Sequence, residues 1–356
     1  MKALVYNGPG QRSWREMPDP VIQDPEDAIV RVDAVTICGT DLHILKGDVP
    51  SVAHGRILGH EAVGTITAVG AGVRGVAVGD RVLISCITSC GRCEYCRQGR
   101  YGQCLGGGGW ILGHLIDGTQ AEQVRVPFAD RSVYKLPDNV TDEAALLLAD
   151  ILPTAYEVGT INGRVRPGDT VVIVGAGPIG LAAITTSKLF SPSQIIVVDL
   201  ADSRRKAALD HGADVALAPD EDVVEAIRGL TGGLGADVAI EAVGVPATFE
   251  LCAEVVRPGG VVANVGVHGA PVTLHLEDLW IKDITITTGL VDTAATPRLL
   301  SMLAAGRLAM PGLITHRFGL DEMQDAYDIF SRAGETGALK VALFTEQGME
   351  PEKHGT

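Results

Sequence analysis

Basic residues and long apolar runs are both scarce in this sequence. Lys and Arg total 29 against 44 Asp and Glu, which gives a formal net charge of −15. This excess of negative charge argues against nucleic acid or an anionic membrane surface as the main partner. The longest apolar stretch, residues 171–184, is interrupted by glycine and proline and falls short of a membrane span.

A secretion signal is also missing from the N-terminus. Residues 1–6 read as an edge strand, without the long apolar region and small-residue cleavage site of a signal peptide. We therefore expect a cytoplasmic protein. In that reducing compartment, clustered cysteines are more suited to metal binding or chemistry than to disulfides. Because most of the seven cysteines cluster within residues 86–104, metal is favoured.

The length and composition of the chain are those of a folded protein with a large core. Its 356 residues exceed one average domain, so two domains are expected. The sequence is 46% hydrophobic and 21% charged, which is typical of globular rather than disordered proteins.

Two kinds of pattern divide the chain. Residues 1–150 contain short β-type runs separated by Gly, Pro and Asp, which predicts a compact barrel-like or sandwich domain. In residues 167–290, nearly continuous apolar strands alternate with helix-like segments, a pattern typical of a parallel sheet covered on both faces. The elements predicted in this second region are strands at 170–174, 194–198, 236–240 and 260–265, and a helix at 203–211.

The pattern changes again beyond Asp292. A helical stretch is followed by a final apolar strand at 338–344. Residues 291–345 could therefore return to the first domain. Residues 346–356 are predicted to form a frayed polar tail.

A glycine-rich turn joins a predicted strand to a predicted helix. Gly175, Gly177 and Gly180 form the pattern G-x-G-x-x-G directly after the apolar strand. In a dinucleotide site the first glycine permits the tight turn, the second lets the backbone approach a pyrophosphate, and the third allows close packing of helix on strand. Pro178 suits the first helical turn, where its missing N–H costs little. The helix N-terminus then offers amides and a favourable dipole to the phosphates.

Asp199 ends the second predicted strand of this region. A carboxylate there accepts hydrogen bonds from the adenosine ribose hydroxyls, and it repels the 2′-phosphate of NADP by about 4 kcal/mol per unit charge at a separation near 4 Å. We therefore expect NAD, although Arg204 and Arg205 could reduce the preference. The alternative is a domain without cofactor in which Asp199 caps a helix.

Cys90, Cys93, Cys96 and Cys104 form the strongest metal-binding pattern in the chain. Two-residue gaps let successive thiolates turn inward on one loop, and the fourth thiolate completes a tetrahedral cage. Closed four-cysteine sites of this kind are structural zinc sites. An iron–sulfur cluster also uses four thiolates, and a disulfide pair is the remaining alternative.

A second candidate set combines Cys38, in C-G-T-D-x-H, with His60 and Glu61, in G-H-E-x-x-G. Taken alone, Cys38 or His60 would more often be a packed core residue than a metal ligand. In one chain with a four-cysteine site and a nucleotide motif, they fit an open catalytic zinc site that keeps one position vacant.

Along the chain the motifs occur as C-G-T-D-x-H, G-H-E-x-x-G, the four cysteines and G-x-G-x-x-G. In this order and spacing they resemble those of the zinc-dependent medium-chain dehydrogenase/reductase family, and the resemblance covers residues 1–345. The resemblance implies an α/β plus β fold, in which a GroES-like catalytic domain (1–153, completed by 291–345) accompanies a central Rossmann domain with a doubly wound parallel sheet (154–290). It also implies a homodimer or homotetramer formed through the edge of the Rossmann sheet.

By the same resemblance, Cys38 and His60 are ligands of a catalytic zinc, and Glu61 is a transient ligand or an orienting group. The third ligand is a cysteine in the best-known animal and yeast members, whereas this chain has Asp150, as bacterial secondary-alcohol and formaldehyde dehydrogenases do. A carboxylate is an acceptable zinc ligand; the alternative role for Asp150 is a helix cap. With the four-cysteine site, two zinc ions per chain are expected.

The resemblance assigns Thr40 and His43 to the first and last steps of a proton relay, against the alternatives of a turn residue and a surface histidine. It implies that Thr154 contacts the nicotinamide. Candidates for the substrate pocket are Thr40, Ile87 and Trp110. The other cofactor positions that it implies, besides the glycines, Pro178 and Asp199, are Ile179, Arg204, Val265, Gly266, Thr288 and Leu290.

Together these residues predict an NAD-dependent zinc alcohol dehydrogenase that moves a hydride reversibly between NAD and a small primary or secondary alcohol, with the aldehyde or ketone as the other partner. A polyol, threonine or formaldehyde dehydrogenase is the first alternative, but a polar substrate fits poorly beside Ile87 and Trp110. A non-catalytic nucleotide-binding relative is the second, and the intact set of Cys38, His60 and Asp150 argues against it.

Overall fold

The computed structural model of the protein describes residues 1–220 and 222–345. Its strands are β1 (Lys2–Gly8), β2 (Gln11–Glu16), β3 (Ala28–Ile37), β4 (Ala62–Val69), β5 (Arg81–Ile84), β6 (Gln123–Val126), β7 (Val133–Lys135), β8 (Thr170–Val174), β9 (Gln194–Val198), β10 (Val215–Leu217), β11 (Ala236–Glu241), β12 (Val256–Asn264), β13 (Thr285–Thr288), β14 (Ile314–Gly319) and β15 (Lys340–Phe344).

Its α-helices are α1 (Gly39–Lys46), α2 (Glu94–Arg97), α3 (Ala129–Ser132), α4 (Asp142–Leu146), α5 (Ile151–Thr154), α6 (Pro178–Lys188), α7 (Asp202–Asp210), α8 (Val223–Leu230), α9 (Pro246–Val255), α10 (Leu276–Leu279), α11 (Thr296–Ala304), α12 (Met323–Ser331) and α13 (Ala333–Thr336). A π-helical segment covers Ala155–Ile161, and 3-10 turns cover Tyr101–Gln103 and Leu320–Glu322.

Two compact units make up the chain. Unit 1 contains Met1–Asp150, Asp292–Arg307 and the segment that begins at Pro311, and unit 2 contains Ile151–Val291 with Leu308–Met310. The domain limits given above, 1–153 with 291–345 and 154–290, stay predictions. The predicted polar tail, 346–356, lies outside the described residues.

Unit 1 is built on a mainly antiparallel sheet with the strand order β14-β15-β3-β4-β5-β7, and β6 also pairs with β3. The ten-residue strand β3 is buried along nearly its whole length, which suits its place between β15 and β4. Strand β15 runs antiparallel to the end of β3, with Val341 opposite Ile37. The C-terminal part of the chain thus completes the sheet that holds the first candidate metal ligands.

Unit 2 is built on a parallel sheet with the order β10-β9-β8-β11-β12-β13. Strands β8 and β9 begin and end where the sequence predicts. Their interior residues are almost completely buried, because helices cover parallel sheets on both faces. The chain order reverses between β8 and β11, and nucleotides bind beyond the carboxyl ends of the strands at such a point.

Strand β12 begins four residues earlier than the sequence predicts, at Val256 rather than at 260. Pro258-Gly259, a pair that ordinarily marks a turn, lies directly before the predicted start. In the structure the pairing of β11 with β12 shifts register between Ala236 and Val238. An irregularity of this kind accommodates proline and glycine inside a strand.

No helix within residues 1–220 and 222–345 has the length and apolar character needed to cross a membrane.

Candidate metal and nucleotide sites

The candidate catalytic cluster lies at the ends of paired strands in unit 1. Cys38 directly follows β3, and His60 and Glu61 directly precede β4. Because β3 and β4 are antiparallel, with Val35 opposite Ala62, the end of one strand meets the beginning of the other. A backbone hydrogen bond of 3.1 Å from Cys86 N to Ala149 O holds the segment before Asp150 against the end of β5. Neighbouring strand ends therefore bring all four side chains together.

The four side chains form a compact donor set. One potential ligand atom each from Cys38, His60, Glu61 and Asp150 lies within 4.8 Å of the others. Asp150 Oδ2 is 3.4 Å from His60 Nε2 and 3.7 Å from Cys38 Sγ. A thiolate, an imidazole nitrogen and a carboxylate oxygen are the ligand types that zinc prefers. The residues therefore fit a zinc ion held by Cys38, His60 and Asp150.

The orientation of His60 agrees with a role as a ligand. Its Nε2 faces Asp150, whereas its Nδ1 lies 3.9 Å from Asp41 Oδ1, a buried oxygen without a hydrogen-bond partner among the described residues. Asp41 Oδ2 accepts hydrogen bonds from Cys38 N at 2.9 Å and from Gln120 Nε2 at 3.0 Å. Histidine ligands of metals commonly turn the second ring nitrogen towards a carboxylate, and Asp41 is the carboxylate on that side of His60.

The buried cluster holds protons in the absence of metal. Burial raises the pKa of Cys38, and the negative charge of Glu61 adds to this shift. Burial by itself would lower the pKa of His60, but hydrogen bonds to Asp150 and Cys38 outweigh it and raise the pKa well above the usual value. A metal ion that binds here must displace these protons, as is general for thiolate and imidazole ligands.

Glu61 is held by a lysine from the last strand. Lys340 Nζ donates to Glu61 Oε2 at 2.5 Å, the Thr36 hydroxyl donates to the same oxygen, and Glu61 and Lys340 are both almost completely buried. Glu61 Oε1 is buried without a hydrogen-bond partner among the described residues. Sequence reasoning missed Lys340, Asp41 and Gln120. A lone lysine inside an apolar strand was the one available signal.

The two predicted relay residues lie on helix α1. Thr40 Oγ1 is 3.6 Å from Cys38 Sγ, and His43 follows three residues later, one helical turn away on the same face. His43 is partly exposed, and its Nδ1 is 2.8 Å from Asp48 Oδ2. This arrangement puts a hydroxyl beside the donor set and an imidazole nearer the surface.

Trp110 lies next to the cluster. Its ring contacts the His60 ring edge to face at 6.5 Å, and its other neighbour, His114, is stacked on it at 4.2 Å. His114 Nε2 is in turn 2.6 Å from Ser51 Oγ. Ile87 is buried and follows Cys86, whose amide contacts the segment before Asp150. Trp110 is therefore a packed side chain rather than an exposed loop aromatic.

The four cysteines of the second set also converge. One sulfur atom each from Cys90, Cys93, Cys96 and Cys104 lies within 4.8 Å of the others, and none of these cysteines is in a disulfide. Hydrogen bonds from the amides of Cys96 and Leu105 lower the pKa of Cys93 to about 6, whereas burial raises the pKa of Cys96 to about 12. A Cβ at Gly106 would lie 2.6 Å from Cys90 Sγ, so glycine leaves the room that the sulfur needs. The residues fit a closed tetrahedral site.

The glycine-rich turn in unit 2 has the shape of a phosphate site. Gly175 has φ +101°, and a Cβ there would clash with Val243 at 2.4 Å. At Gly177 a Cβ would meet nothing within 4 Å, so open space faces the N-terminus of α6, which has no side-chain cap. A Cβ at Gly180 would collide with Gly175 O. Uncapped amides beside open space suit a pyrophosphate.

Asp199 lies beside this turn and is nearly buried. Its Oδ2 accepts from Ala176 N at 2.7 Å and its Oδ1 accepts from Ala201 N at 2.9 Å. Arg205 donates to Asp199 O at 2.7 Å and pairs with Asp202, so its guanidinium is already occupied. Arg204, in the same helix α7, is partly exposed.

Other predicted cofactor positions follow the carboxyl ends of neighbouring strands in unit 2. Val265 and Gly266 come directly after β12, Thr288 ends β13, and Leu290 follows it. Ile179 is in the first turn of α6, and Thr154 ends α5.

Sequence reasoning did not find a buried glutamate at this edge. Glu241, the last residue of β11, accepts from the amides of Val243 and Gly244 and from Thr248 Oγ1, at 2.9, 2.8 and 2.7 Å. It holds the loop after β11 in place.

Two family models match the chain. The alcohol dehydrogenase GroES-like domain matches residues 24–138, and the zinc-binding dehydrogenase model matches residues 178–305. An alcohol dehydrogenase of Cupriavidus necator is 40% identical, over 96% of this chain and 98% of the relative. An L-threonine 3-dehydrogenase of Pyrococcus horikoshii is 34% identical, over 96% of this chain and 99% of the relative.

Several solved structures are similar to this chain over nearly its whole length. The apo form of a zinc-dependent alcohol dehydrogenase from Streptococcus pneumonia has a TM-score of 0.94 and 48% identity, over 97% of this chain and 99% of that chain. An Escherichia coli alcohol dehydrogenase complexed with NADH has a TM-score of 0.87 and 29% identity, over 97% and 99%. A Sinorhizobium meliloti zinc-binding dehydrogenase bound to NADP has a TM-score of 0.85 and 30% identity, over 96% and 98%.

These similarities confirm the predicted fold class, a GroES-like domain with a Rossmann-like parallel sheet. They also support zinc and a nicotinamide cofactor, and a small-molecule alcohol or aldehyde as the substrate. The chain therefore belongs to the zinc-dependent medium-chain dehydrogenase/reductase family and is an NAD(P)-dependent oxidoreductase that acts on CH–OH groups.

Proposed function

We propose that this enzyme interconverts small primary or secondary alcohols and their carbonyl forms, using NAD and a catalytic zinc held by Cys38, His60 and Asp150. The observation that carries the proposal is the convergence of a thiol, an imidazole and a carboxylate within 4.8 Å, beside the ring of Trp110. An apolar wall of Trp110 and Ile87 favours a small apolar alcohol over a polyol or an amino acid.

Zinc in this donor set supplies Lewis acidity, which lowers the pKa of an alcohol bound to it. Thr40 Oγ1, 3.6 Å from Cys38 Sγ, is placed to accept the alcohol proton and pass on its own. His43, one helical turn further on, exchanges that proton with water. Asp48, at 2.8 Å from Nδ1, fixes the His43 ring, so that Nε2 is the atom free for exchange.

NAD is proposed as the cofactor because Asp199 is the acidic group beside the glycine turn. The relatives include enzymes bound to NADH and to NADP, so the choice within this chain depends on its own residues. The Asp199 carboxylate lies beside the glycine turn, where we propose that the adenosine ribose binds, and Arg205 is engaged by Asp202 and by backbone oxygens. Arg205 therefore offers little positive charge to a 2′-phosphate.

We further propose two zinc ions per chain, a cytoplasmic location and a homodimer or homotetramer. Support for the oligomer comes from strand β13, which is the outermost strand on its side of the unit 2 sheet among residues 1–220 and 222–345. Near this edge in sequence, Leu276, Trp280 and Ile281 are exposed apolar side chains. Exposed strand edges and apolar patches are typical of surfaces that another copy covers.

The test is a spectrophotometric panel of substrates with purified enzyme, with NAD and NADP in parallel. We expect the highest kcat/KM for short primary or secondary alcohols with NAD. L-Threonine belongs in the panel because the Pyrococcus horikoshii relative is a threonine dehydrogenase, and a polyol and formaldehyde complete it. A clear preference for one of these three would replace the proposed substrate class while keeping the reaction.

A further inference from the structure

A line of hydrogen-bonding side chains runs from helix α12 to Asp41, which faces the candidate zinc ligand His60. Tyr327 OH donates to Gln120 Oε1 at 2.7 Å, and Gln120 Nε2 donates to Asp41 Oδ2 at 3.0 Å. Asp41 Oδ1 then faces His60 Nδ1 at 3.9 Å. All four side chains are at most 4% exposed. Buried polar groups of this kind hold a fixed arrangement, because an unpaired one is costly.

The donors and acceptors along this line can run in one direction only. A carboxylate accepts, so Gln120 must turn its NH2 group towards Asp41 and its carbonyl oxygen towards Tyr327. The tyrosine hydroxyl is a donor that satisfies this oxygen. If the hydroxyl were absent, Gln120 Oε1 would be left buried and unpaired, and flipping the amide would set two oxygens against each other at Asp41.

The backbone around Gln120 is also joined to the residue before His60. Gln120 N donates to Leu58 O at 2.9 Å, and Thr119 N donates to Gly59 O at 3.0 Å. A Cβ at Gly59, whose φ is +94°, would lie 2.6 Å from Gln120 Cγ. The side chain of Gln120 is thus packed directly against the turn that presents His60.

We propose that Gln120 and Tyr327 are positioning residues of the catalytic zinc site. They hold Asp41 so that its Oδ1 stays opposite His60 Nδ1, at 3.9 Å, which favours the ring orientation that points Nε2 at the proposed metal position. This inference rests on the proposed role of His60 as a zinc ligand. It assigns a function to two residues far from the ligands in sequence, and both act through Asp41.

The test is the release of zinc from the intact enzyme into a chelator at constant pH. Tyr327→Phe removes only the hydroxyl. Loss of a group that contacts a ligand directly costs about 10- to 100-fold in metal affinity, so for this more remote group we expect release about threefold to tenfold faster. The zinc of the four-cysteine site should leave at the wild-type rate, which serves as an internal measure of folding.

A double-mutant cycle separates positioning from a general loss of packing. If Tyr327 acts through Asp41, adding Tyr327→Phe to Asp41→Asn should not accelerate release further, whereas independent effects would multiply. Tyr6→Phe is the matched control, because Tyr6 is a buried tyrosine of unit 1 whose side chain is not in the line. It should release zinc as the wild type does.

Two results would overturn the inference alone: wild-type release from Tyr327→Phe, or multiplying effects in the cycle. A wild-type enzyme with zinc in the four-cysteine site only would overturn the proposed function as well, so the two failures are distinguishable. Gln120→Glu is a second variant that tests the same positioning role, because it places a second carboxylate beside that of Asp41 and the two repel each other. It should release zinc faster than Tyr327→Phe does.

Discussion

Asp150 stands where a helix begins and where a metal would be held, and these two roles differ in consequence. Loss of a helix cap costs about 0.5–2 kcal/mol of stability and leaves chemistry intact. Asp150 Oδ2 lies 3.4 Å from His60 Nε2, which favours the ligand role. We predict that Asp150→Ala lowers kcat by orders of magnitude and loses one zinc while the protein stays folded, as measured by kinetics, metal analysis and circular dichroism.

The control for this prediction is Asp142→Ala, because Asp142 also begins a helix, α4, but lies outside both cysteine-containing clusters. It should lower the melting temperature slightly and keep kcat. Asp150→Cys should retain the metal, yet a more electron-donating ligand makes zinc a weaker Lewis acid, so its activity should fall. Normal zinc content and normal kcat in Asp150→Ala would refute the ligand role.

Asp199 combines a proposed cofactor contact with a structural role in the glycine turn, and a single substitution affects both. Its carboxylate is proposed to bind the adenosine ribose, and it also accepts hydrogen bonds from Ala176 N and Ala201 N. We predict that Asp199→Gly weakens NAD and improves NADP relative to NAD, measured as the ratio of kcat/KM values. Asp199→Asn, which can keep an acceptor for the glycine turn, should lose less affinity for NAD. A wild-type enzyme that prefers NADP would contradict the electrostatic argument.

Cys252 lies outside both metal clusters, and its chemistry is suppressed by its surroundings. Burial raises its pKa well above the usual value, and the nearby charge of Glu241 adds to the shift. A raised pKa keeps the thiol neutral at pH 7, and the thiolate is the reactive form. We predict no alkylation of Cys252 in the folded protein by mass spectrometry, and rapid alkylation after denaturation. Equal rates in the two states would contradict this.

At the scale of elements, the segment around α2 carries the four cysteines of the second candidate metal site. Cys90 and Cys93 precede this four-residue helix, Cys96 lies in it, and Cys104 follows a short 3-10 turn. Little apolar surface is available to so short a segment, so a metal bound by the four cysteines would contribute to its stability. A closed four-thiolate site also leaves no position for substrate.

We therefore predict two zinc ions per chain in the purified enzyme. Cys93→Ala should lose one of them and lower the melting temperature, so that activity falls mainly through loss of folded protein. Cys252→Ala is the control, because Cys252 belongs to neither cluster, and this variant should keep both ions. Metal analysis that finds one zinc or none in fully folded wild-type protein would refute the assignment.

The 110–116 loop forms a second functional element. The ring of Trp110 stacks on His114 and meets His60 edge to face, and His114 contacts Ser51 Oγ at 2.6 Å. Such clamping leaves the indole little freedom to move aside for a larger substrate. We predict that Trp110→Ala raises kcat/KM for bulky secondary alcohols about tenfold relative to ethanol, within the range that pocket volume can supply.

Trp110→Phe keeps an aromatic ring in place and serves as the matched variant. Its substrate profile should stay close to that of the wild type, as determined from kcat/KM over an alcohol series of increasing size. If Trp110→Ala leaves the relative rates unchanged, the indole is not part of the pocket wall.

At the scale of the molecule, each candidate site is assembled within one unit. The candidate metal ligands of both sets belong to unit 1, and the glycine turn, Asp199 and the loops after β11 and β12 belong to unit 2. Cys38 and Asp150 are 112 positions apart, and Lys340 reaches Glu61 across 279. The strands of unit 1 close these distances, because β15 joins β3 in the same sheet.

Several features follow from local sequence. A few neighbouring residues are enough to predict the glycine turn, the four-cysteine segment and the strands β8 and β9. In each case the spacing of residues or their apolar content determines the local structure. Backbone conformation at Gly175 and thiolate spacing depend on immediate neighbours. The resemblance to the dehydrogenase family extends this reading to Cys38, His60 and Asp150, which no local pattern joins.

Other features are decided by tertiary structure. Lys340 is a lone charge in an apolar strand until the pairing of β15 with β3 sets it beside Glu61. The line from Tyr327 through Gln120 to Asp41 joins three separate segments, and the early start of β12 depends on its pairing with β11. Sheet register and burial determine which polar groups meet, and both are properties of elements packed together that no single stretch of the chain contains.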